Sequence, residues 1–388
     1  VRIALYGNYL YELAVALRAN TDNDVHLFLD SRTIPECLSE ETPLQDETFT
    51  HSEPWVTYRE IICPRRAKLT KEFSAFDVIL TTDLGPIFAA RSGTKYVFIP
   101  GGSDLTQWPF PIHSRSTRPH GLRRDILELI IAARLRPAIR SSVSIWTSGP
   151  WSPNRLAAGR LGLTLDMFLL QMVDTDLFSP STGVPRQTDS SESLTIFHPT
   201  RIAFESDPRV VEVGGYMGND ILFRGFAQAL QRGINARLVL IDRKNSSDTE
   251  VAKELIEDLG ISDHVEWLRA KTSEGFTWRE MVDHYRACDI VASEFSGWTG
   301  LISVEAASCG KPVITWVEED AMERLHPEGH PFVQAKDDEG VCAAISMLAD
   351  ADIRRSIGES SRSWVLAKHE RGQVARTCES MLARLGFT

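Results

Sequence analysis

A chain of 388 residues, 43% hydrophobic and 24% charged, is long enough for two domains with full cores and has the make-up of an ordinary soluble globular protein. Its 42 basic residues against 53 acidic ones leave a formal net charge of −11, which argues against a nucleic-acid partner. No window reaches the ~18–20 apolar residues that a membrane span requires. The cysteines (Cys37, Cys63, Cys288, Cys309, Cys342, Cys378) show no C-x-x-C pairing, so buried thiols in a reducing compartment are expected.

The chain enters directly on a strand-like run, Val1-Arg-Ile-Ala-Leu5, with no leader pattern ahead of it, and a cytoplasmic protein is expected. Short apolar runs then alternate with helical patterns from end to end, which predicts an α/β protein built on parallel sheets. In the first half the expected strands are Arg2–Tyr6, Val25–Leu29, Val78–Thr82, Tyr96–Ile99 and Val143–Trp146. Gly7-Asn8 makes a tight turn after the first of them. Ile99-Pro-Gly-Gly-Ser-Asp-Leu105 follows the fourth, at the carboxyl end where parallel sheets line their ligand crevice. Asp104 in that turn suits either a helix cap or a site residue. Residues 113–140 carry seven arginines (Arg115, Arg118, Arg123, Arg124, Arg134, Arg136, Arg140) against Asp125 and Glu128. Interleaved Ile126, Leu127, Leu129, Ile130, Ile131 and Leu135 make this a basic amphipathic helix. It suits a solvated helix face, or contact with anionic lipid or a phosphorylated acceptor.

A stretch rich in turn formers, Ser179 to Ser193, separates the halves. The expected division is a first domain over 1–172, a linker over 173–192, a second domain over 193–362, and an amphipathic C-terminal helix within 363–388. Strands of the second half are expected at Leu194–His198, Arg237–Asp242, His264–Leu268, Ile290–Ser293 and Pro312–Trp316. Phe197-His-Pro-Thr-Arg-Ile202 leaves the first of these. Gly218-Asn-Asp-Ile-Leu then opens a helix with Asn219 or Asp220 at its N-cap and Leu222, Phe226 and Leu230 on its buried stripe.

The most informative segment is Gly297-Trp-Thr-Gly-Leu-Ile-Ser-Val-Glu-Ala-Ala-Ser-Cys-Gly-Lys-Pro312. Gly300 opens a helix whose Leu301, Ile302, Val304 and Ala307 are expected to face inward, and the helix stops at Gly310. The first free N–H groups, around Gly300 to Ile302, suit an anion. Glu305 lies one turn further in, and helical side chains lean toward the N-terminus. Its carboxylate either reaches a sugar hydroxyl beside that anion or is the solvated flank of a core helix. No zinc-ligand spacing, Gly-x-Ser-x-Gly elbow, Walker lysine loop or Gly-x-Gly-x-x-Gly fingerprint occurs.

The segment resembles the donor-site signature of the retaining group-1 glycosyltransferases. Glu305 takes the place of the second of the family's two glutamates, and Gly310-Lys-Pro-Val-Ile314 follows at the family spacing. The resemblance implies a GT-B fold: two Rossmann-like domains facing a cleft, with the C-terminal helix crossing back to the first domain. It implies a donor nucleotide diphosphate sugar, a sugar, lipid-linked or small-molecule acceptor, and neither a metal nor a separate cofactor. Asp104, Arg201 and Glu305 are the implied catalytic residues. Gly7, Gly101, Gly102, Ser103, Arg201, Met217, Gly218, Gly297, Trp298, Thr299, Gly300, Leu301, Ile302 and Glu305 would bind the nucleotide sugar. Three positions depart from the family pattern: Gly101 stands for its histidine, Met217 for its lysine and Gly297 for its first glutamate. Independently of the resemblance, the charge of residues 113–140 suits peripheral contact at the inner face of a membrane as the alternative to a solvated face. A nucleotide-sugar-binding protein with little catalysis, or a nucleotide-sugar epimerase, are the alternative readings.

Overall fold

The computed structural model describes residues 1–34, 46–110, 122–181, 193–204, 214–243, 246, 248–269, 276–298 and 300–387. The chain folds into two units. One is formed by Val1–Leu170 with the C-terminal stretch from Arg371, the other from within Gln171–Glu370. Each is a parallel sheet with helices on its faces, as alternating apolar runs and helical patterns dictate.

In the first unit β1 (Arg2–Tyr6), β2 (Asp24–Asp30), β3 (Thr50–Glu53), β4 (Val78–Thr81), β5 (Lys95–Phe98), β6 (Ser144–Thr147) and β7 (Asp166–Met167) lie in the order β3-β2-β1-β4-β5-β6-β7. Each recorded pairing is parallel; Ile3 faces Val25 on one side and Val78 on the other. Strands buried on both faces are runs of Ile, Val and Leu, and these are the ones that periodicity found. The polar edge strand β3, Thr-His-Ser-Glu, carries no such run. A core of Phe28, Phe73, Phe88, Phe98, Leu135 and Ile139 fills one side of this sheet. The Arg371–Arg384 helix packs on the Tyr11–Asn20 helix, where Arg371 meets Glu12 at 2.6 Å and Asn23 donates to Glu379 at 3.0 Å. The C-terminal helix thus returns to the first unit, as anticipated.

The return begins at Arg371, not at Ser363. Ala351–Lys368 is one continuous helix of the second unit, and Arg362 ties it down by donating to the carbonyls of Phe178, Ser308 and Thr175. The expected linker is likewise partly structural: Val173 and Phe178 are buried in the core of the second unit, while residues 182–192 lie outside the described residues.

The second unit holds β8 (Leu194–His198), β9 (Ala236–Asp242), β10 (Val265–Arg269), β11 (Ile290–Ala292), β12 (Val313–Thr315) and β13 (Val333–Gln334) in the order β10-β9-β8-β11-β12-β13. The Asn219–Gln231 helix buries Leu222, Phe223 and Phe226 against the sheet. Leu230 sits at the margin of that core rather than inside it. Three cysteines of this unit, Cys288, Cys309 and Cys342, are buried as thiols, whereas Cys63 of the first unit is exposed. Among the described residues no helix is long and apolar enough to cross a membrane.

Candidate functional site

In an open parallel sheet the loops part, and a crevice opens, where the strand order reverses. In the second unit that point lies between β8 and β11, which pair as Ile290 with Ile196 and Val291 with Phe197. The two loops leaving there are 199–204 and 293–300. They carry Arg201 and the glycine-started helix singled out by the sequence.

The first loop is held by Asn219, which is fully buried. Its Oδ1 accepts from the Ala203 N–H at 2.9 Å, and its Nδ2 donates to the Arg201 carbonyl at 3.1 Å and to His198 Nε2 at 2.7 Å. Asn219 is therefore not the N-cap that its position suggested. Gly218 takes that position, with φ of +69°. A Cβ at Gly218 would lie 2.8 Å from the Phe295 carbonyl oxygen, so only glycine admits the close approach of the two loops. Met217 completes the junction through its backbone: its N–H donates to the Ala203 carbonyl at 2.7 Å and its carbonyl accepts from the Phe295 N–H at 2.9 Å. The Arg201 side chain is partly exposed and has no hydrogen-bond or ion-pair partner among the described residues. A cation on a loop pinned through its own carbonyl is pre-organised for an anionic ligand.

His198 is the buried keystone of that loop. Nδ1–H donates to the Ala292 carbonyl at 2.9 Å on the neighbouring strand, which leaves Nε2 to accept from Asn219. Burial disfavours its charged form and lowers its pKa from 6.5 to about 4. In the unfolded chain the imidazole takes up a proton as pH falls below about 6.5, while the folded one resists until about 4. Its contribution is thus fully present above that upper value and is lost through the window. A shift of this size corresponds to roughly 3 kcal/mol. We expect chemical-denaturation stability to fall more steeply from pH 7 to pH 4.5 in the native chain than in a His198→Gln variant. Parallel pH profiles would show that His198 is not buried neutral.

The second loop leads into the helix Leu301–Ser308, the one expected to receive an anion, with Gly300 at its N-cap position. Val304 and Ala307 face inward as expected, but Leu301 is 38% exposed, because the first turn projects beyond the strand ends. Gly297 bridges to the next strand's loop, its N–H donating to the Trp316 carbonyl and its carbonyl accepting from the Glu318 N–H at 2.7 Å. Trp298 packs against the core beneath, and Thr299 lies outside the described residues. The Gly300 N–H, expected to await a phosphate, donates to Glu294 Oε2 at 3.2 Å, and that same oxygen accepts from the Ser293 hydroxyl at 2.8 Å. A carboxylate of the chain itself thus stands at the helix start, where the positive end of the dipole favours it. The amides of Leu301 and Ile302 follow it in the first turn. One turn further along, Glu305 Oε2 accepts from the hydroxyl of fully buried Tyr285 at 2.8 Å. Glu305 is therefore anchored to the core and is no loose solvated flank. Burial and the adjoining Glu305 raise the Tyr285 pKa well above 10, so it stays a donor. The charge of Arg243, just past β9, acts on both His198 and Tyr285 and adds a second cation to this end of the sheet.

The first unit has its own switch point, between β1 and β4. Gly7 follows β1 with φ of +115°, and a Cβ there would sit 2.2 Å from Thr82 Cγ2. Gly101, Gly102 and Ser103 form the turn after β5. Asp104, 1% exposed, organises it by accepting from the N–H groups of Gly101, Gly102 and Asp83 and from the Thr82 hydroxyl, at 2.9 to 3.1 Å. Its oxygens are occupied by the turn, so it positions its neighbours rather than offering a carboxylate to a ligand. Asp83 beside it has φ of +55°, the left-handed region that a non-glycine residue rarely enters, and burial and then Asp104 push its carboxyl up to about 7.

Sequence reasoning missed Asn219's reach, His198, Tyr285, Arg243 and Glu294. Only Glu294 left a readable signal, a glutamate close before the expected first-glutamate position. Among the described residues no group of three or more His, Cys, Asp or Glu side chains is placed to hold a metal ion.

Residues 214–364 match the family model described as "Glycosyl transferases group 1". The chain is 30% identical over 145 residues to the D-inositol 3-phosphate glycosyltransferase of Corynebacterium jeikeium, a match covering 35% of this chain and 33% of that protein. The match thus spans about a third of the curated relative's length. Among solved structures, sucrose-phosphate synthase from Thermosynechococcus elongatus aligns with a TM-score of 0.65 at 15% identity, over 99% of this chain and 98% of that one. A UDP complex of Anabaena HepE aligns with the same TM-score at 16% identity, over 99% of each chain. At such identities these two show the fold alone. Taken with the strand–glycine–helix segment and its Glu305, the comparisons show that residues 214–364 resemble the group 1 glycosyltransferases and that the chain has a GT-B-like fold.

Proposed function

We propose that the protein transfers a sugar from a nucleotide diphosphate sugar to an acceptor hydroxyl, with retention of configuration as in the group-1 family that its residues 214–364 resemble. The observation that carries this reading is the convergence, at one switch point, of a pinned loop bearing Arg201 and a helix start followed one turn later by Glu305. The donor diphosphate would lie on Arg201 and the Leu301 and Ile302 amides, with Glu305 on the ribose. As the bond from the anomeric carbon to the outer phosphate oxygen breaks, charge grows on the leaving diphosphate. A fixed cation and a fixed helix dipole meet that charge without reorganising. The acceptor oxygen forms the new bond, and its proton passes to the departing phosphate. The Anabaena protein of similar fold is a UDP complex, which supports a nucleoside diphosphate as the ligand.

In this reading Glu294 does what Gly297 cannot. Its carboxylate reaches the start of the Leu301–Ser308 helix, and there it can receive donor-sugar hydroxyls. The matched stretch of the curated relative is too short to carry its inositol phosphate acceptor over to this chain. The test is release of nucleoside diphosphate from UDP-, GDP-, ADP- and TDP-sugars, with the anomeric configuration of the product read by NMR. Release from one of these with a retained anomer supports the reading. An inverted product overturns the retaining mechanism, and no release from any of them overturns the transferase.

A further inference from the structure

We propose that the first unit docks on an anionic lipid surface through a face built from the Tyr58–Ile62 helix, the following turn to Arg66, and the outer side of the Leu122–Arg140 helix. Large apolar side chains on this face are left in solvent: Tyr58 is 70% exposed, Ile62 48%, Ile126 49% and Leu129 46%. They do not belong to the core, because the Leu122–Arg140 helix buries its opposite side through Leu127, Ile130, Ile131 and Leu135. The two segments lie side by side, Arg134 donating to the Ile62 carbonyl at 3.2 Å.

The same two segments carry the exposed arginines Arg59, Arg65, Arg66, Arg124 and Arg134. The acids on the same segments are already engaged or few. Glu60 closes a capping box with Thr57, Glu128 meets Arg124 at 3.4 Å, and Asp125 remains. Among the described residues Arg59, Arg65 and Arg66 have no carboxylate partner. Such a cluster stands out on a chain of net charge −11. Exposed arginines alone would suit any polyanion. Tyr, Ile and Leu side chains set among them need an apolar phase beneath a layer of negative charge, which a lipid headgroup layer over acyl chains provides. The inference is independent of the donor chemistry, because none of these residues belongs to the second unit.

The test is co-sedimentation of the full chain with vesicles of equimolar phosphatidylcholine and phosphatidylglycerol, beside vesicles of phosphatidylcholine alone. The chain should pellet with the anionic vesicles at low salt and stay in solution with the neutral ones. Each arginine near such a surface contributes about a fivefold gain in partition. Arg65→Glu combined with Arg66→Glu should therefore weaken it by more than about a hundredfold. Ile62→Ser combined with Leu129→Ser should leave low-salt recruitment but abolish the fraction that survives high salt. All four side chains are exposed, so melting curves should not change. The proposal is overturned if the native chain ignores anionic vesicles at low salt, or if the charge-reversed chain pellets like the native one. Retention on duplex DNA without retention on vesicles would overturn it equally, by assigning the face to another polyanion.

Discussion

Replacing Glu305 by alanine is expected to weaken nucleotide diphosphate sugar binding at least about tenfold, since a hydrogen bond to a charged group is worth ~1.5–3 kcal/mol. It should also cost about 1–3 kcal/mol of folding stability, because it leaves the hydroxyl of buried Tyr285 without its acceptor. The two effects separate. Adding Tyr285→Phe removes the stranded hydroxyl and should return most of the stability, while the ligand still lacks its carboxylate. Denaturation and titration calorimetry on Glu305→Ala, Tyr285→Phe and the double variant measure both. Recovery of donor affinity along with stability in the double variant would reduce Glu305 to a partner of Tyr285 with no ligand of its own.

Met217→Lys is expected to tighten nucleoside diphosphate binding by about one to two decades, the worth of one ammonium–phosphate contact at ~1.5–3 kcal/mol. The backbone of residue 217 bridges the two loops of the switch point, bonded to Ala203 on one side and Phe295 on the other. A lysine there joins Arg201 at the same crevice, and neither backbone bond depends on the side chain. The gain should shrink for the nucleoside monophosphate, which lacks the outer phosphate. Unchanged affinity for both would mean that the side chain at 217 points away from the donor.

How much of this was legible in the sequence depended on the range over which each feature is encoded. The buried strands β1, β4, β5, β8 and β9 announce themselves because both faces must be apolar, and the glycine-started helix does so because its signals are adjacent in the chain. The short edge strands β7 and β13 and the polar β3 do not, since an edge needs neither length nor apolar character. Long-range side-chain bonds were invisible for a different reason. Asn219 reaches back to the loop after β8, and Tyr285 holds Glu305 from the preceding helix. Local spacing encodes neither. Asn219 at a helix start reads as a cap, and only the left-handed Gly218 before it frees the side chain for the loop. The free amide expected at Gly300 failed similarly, because the loop folds Glu294 back onto it.

Donor binding as proposed requires that the crevice between the β8 and β11 loops be the donor site. The most direct measurement is titration calorimetry of the native chain and of Arg201→Ala with UDP, GDP, ADP and TDP. One of the four should bind the native chain and raise its stability by ~2.7 kcal/mol at about a hundred times its dissociation constant. Arg201→Ala should lose at least about a decade of that affinity while melting like the native chain without ligand. Binding of none of the four, or equal binding by the variant, would contradict the assignment of this crevice to the donor diphosphate.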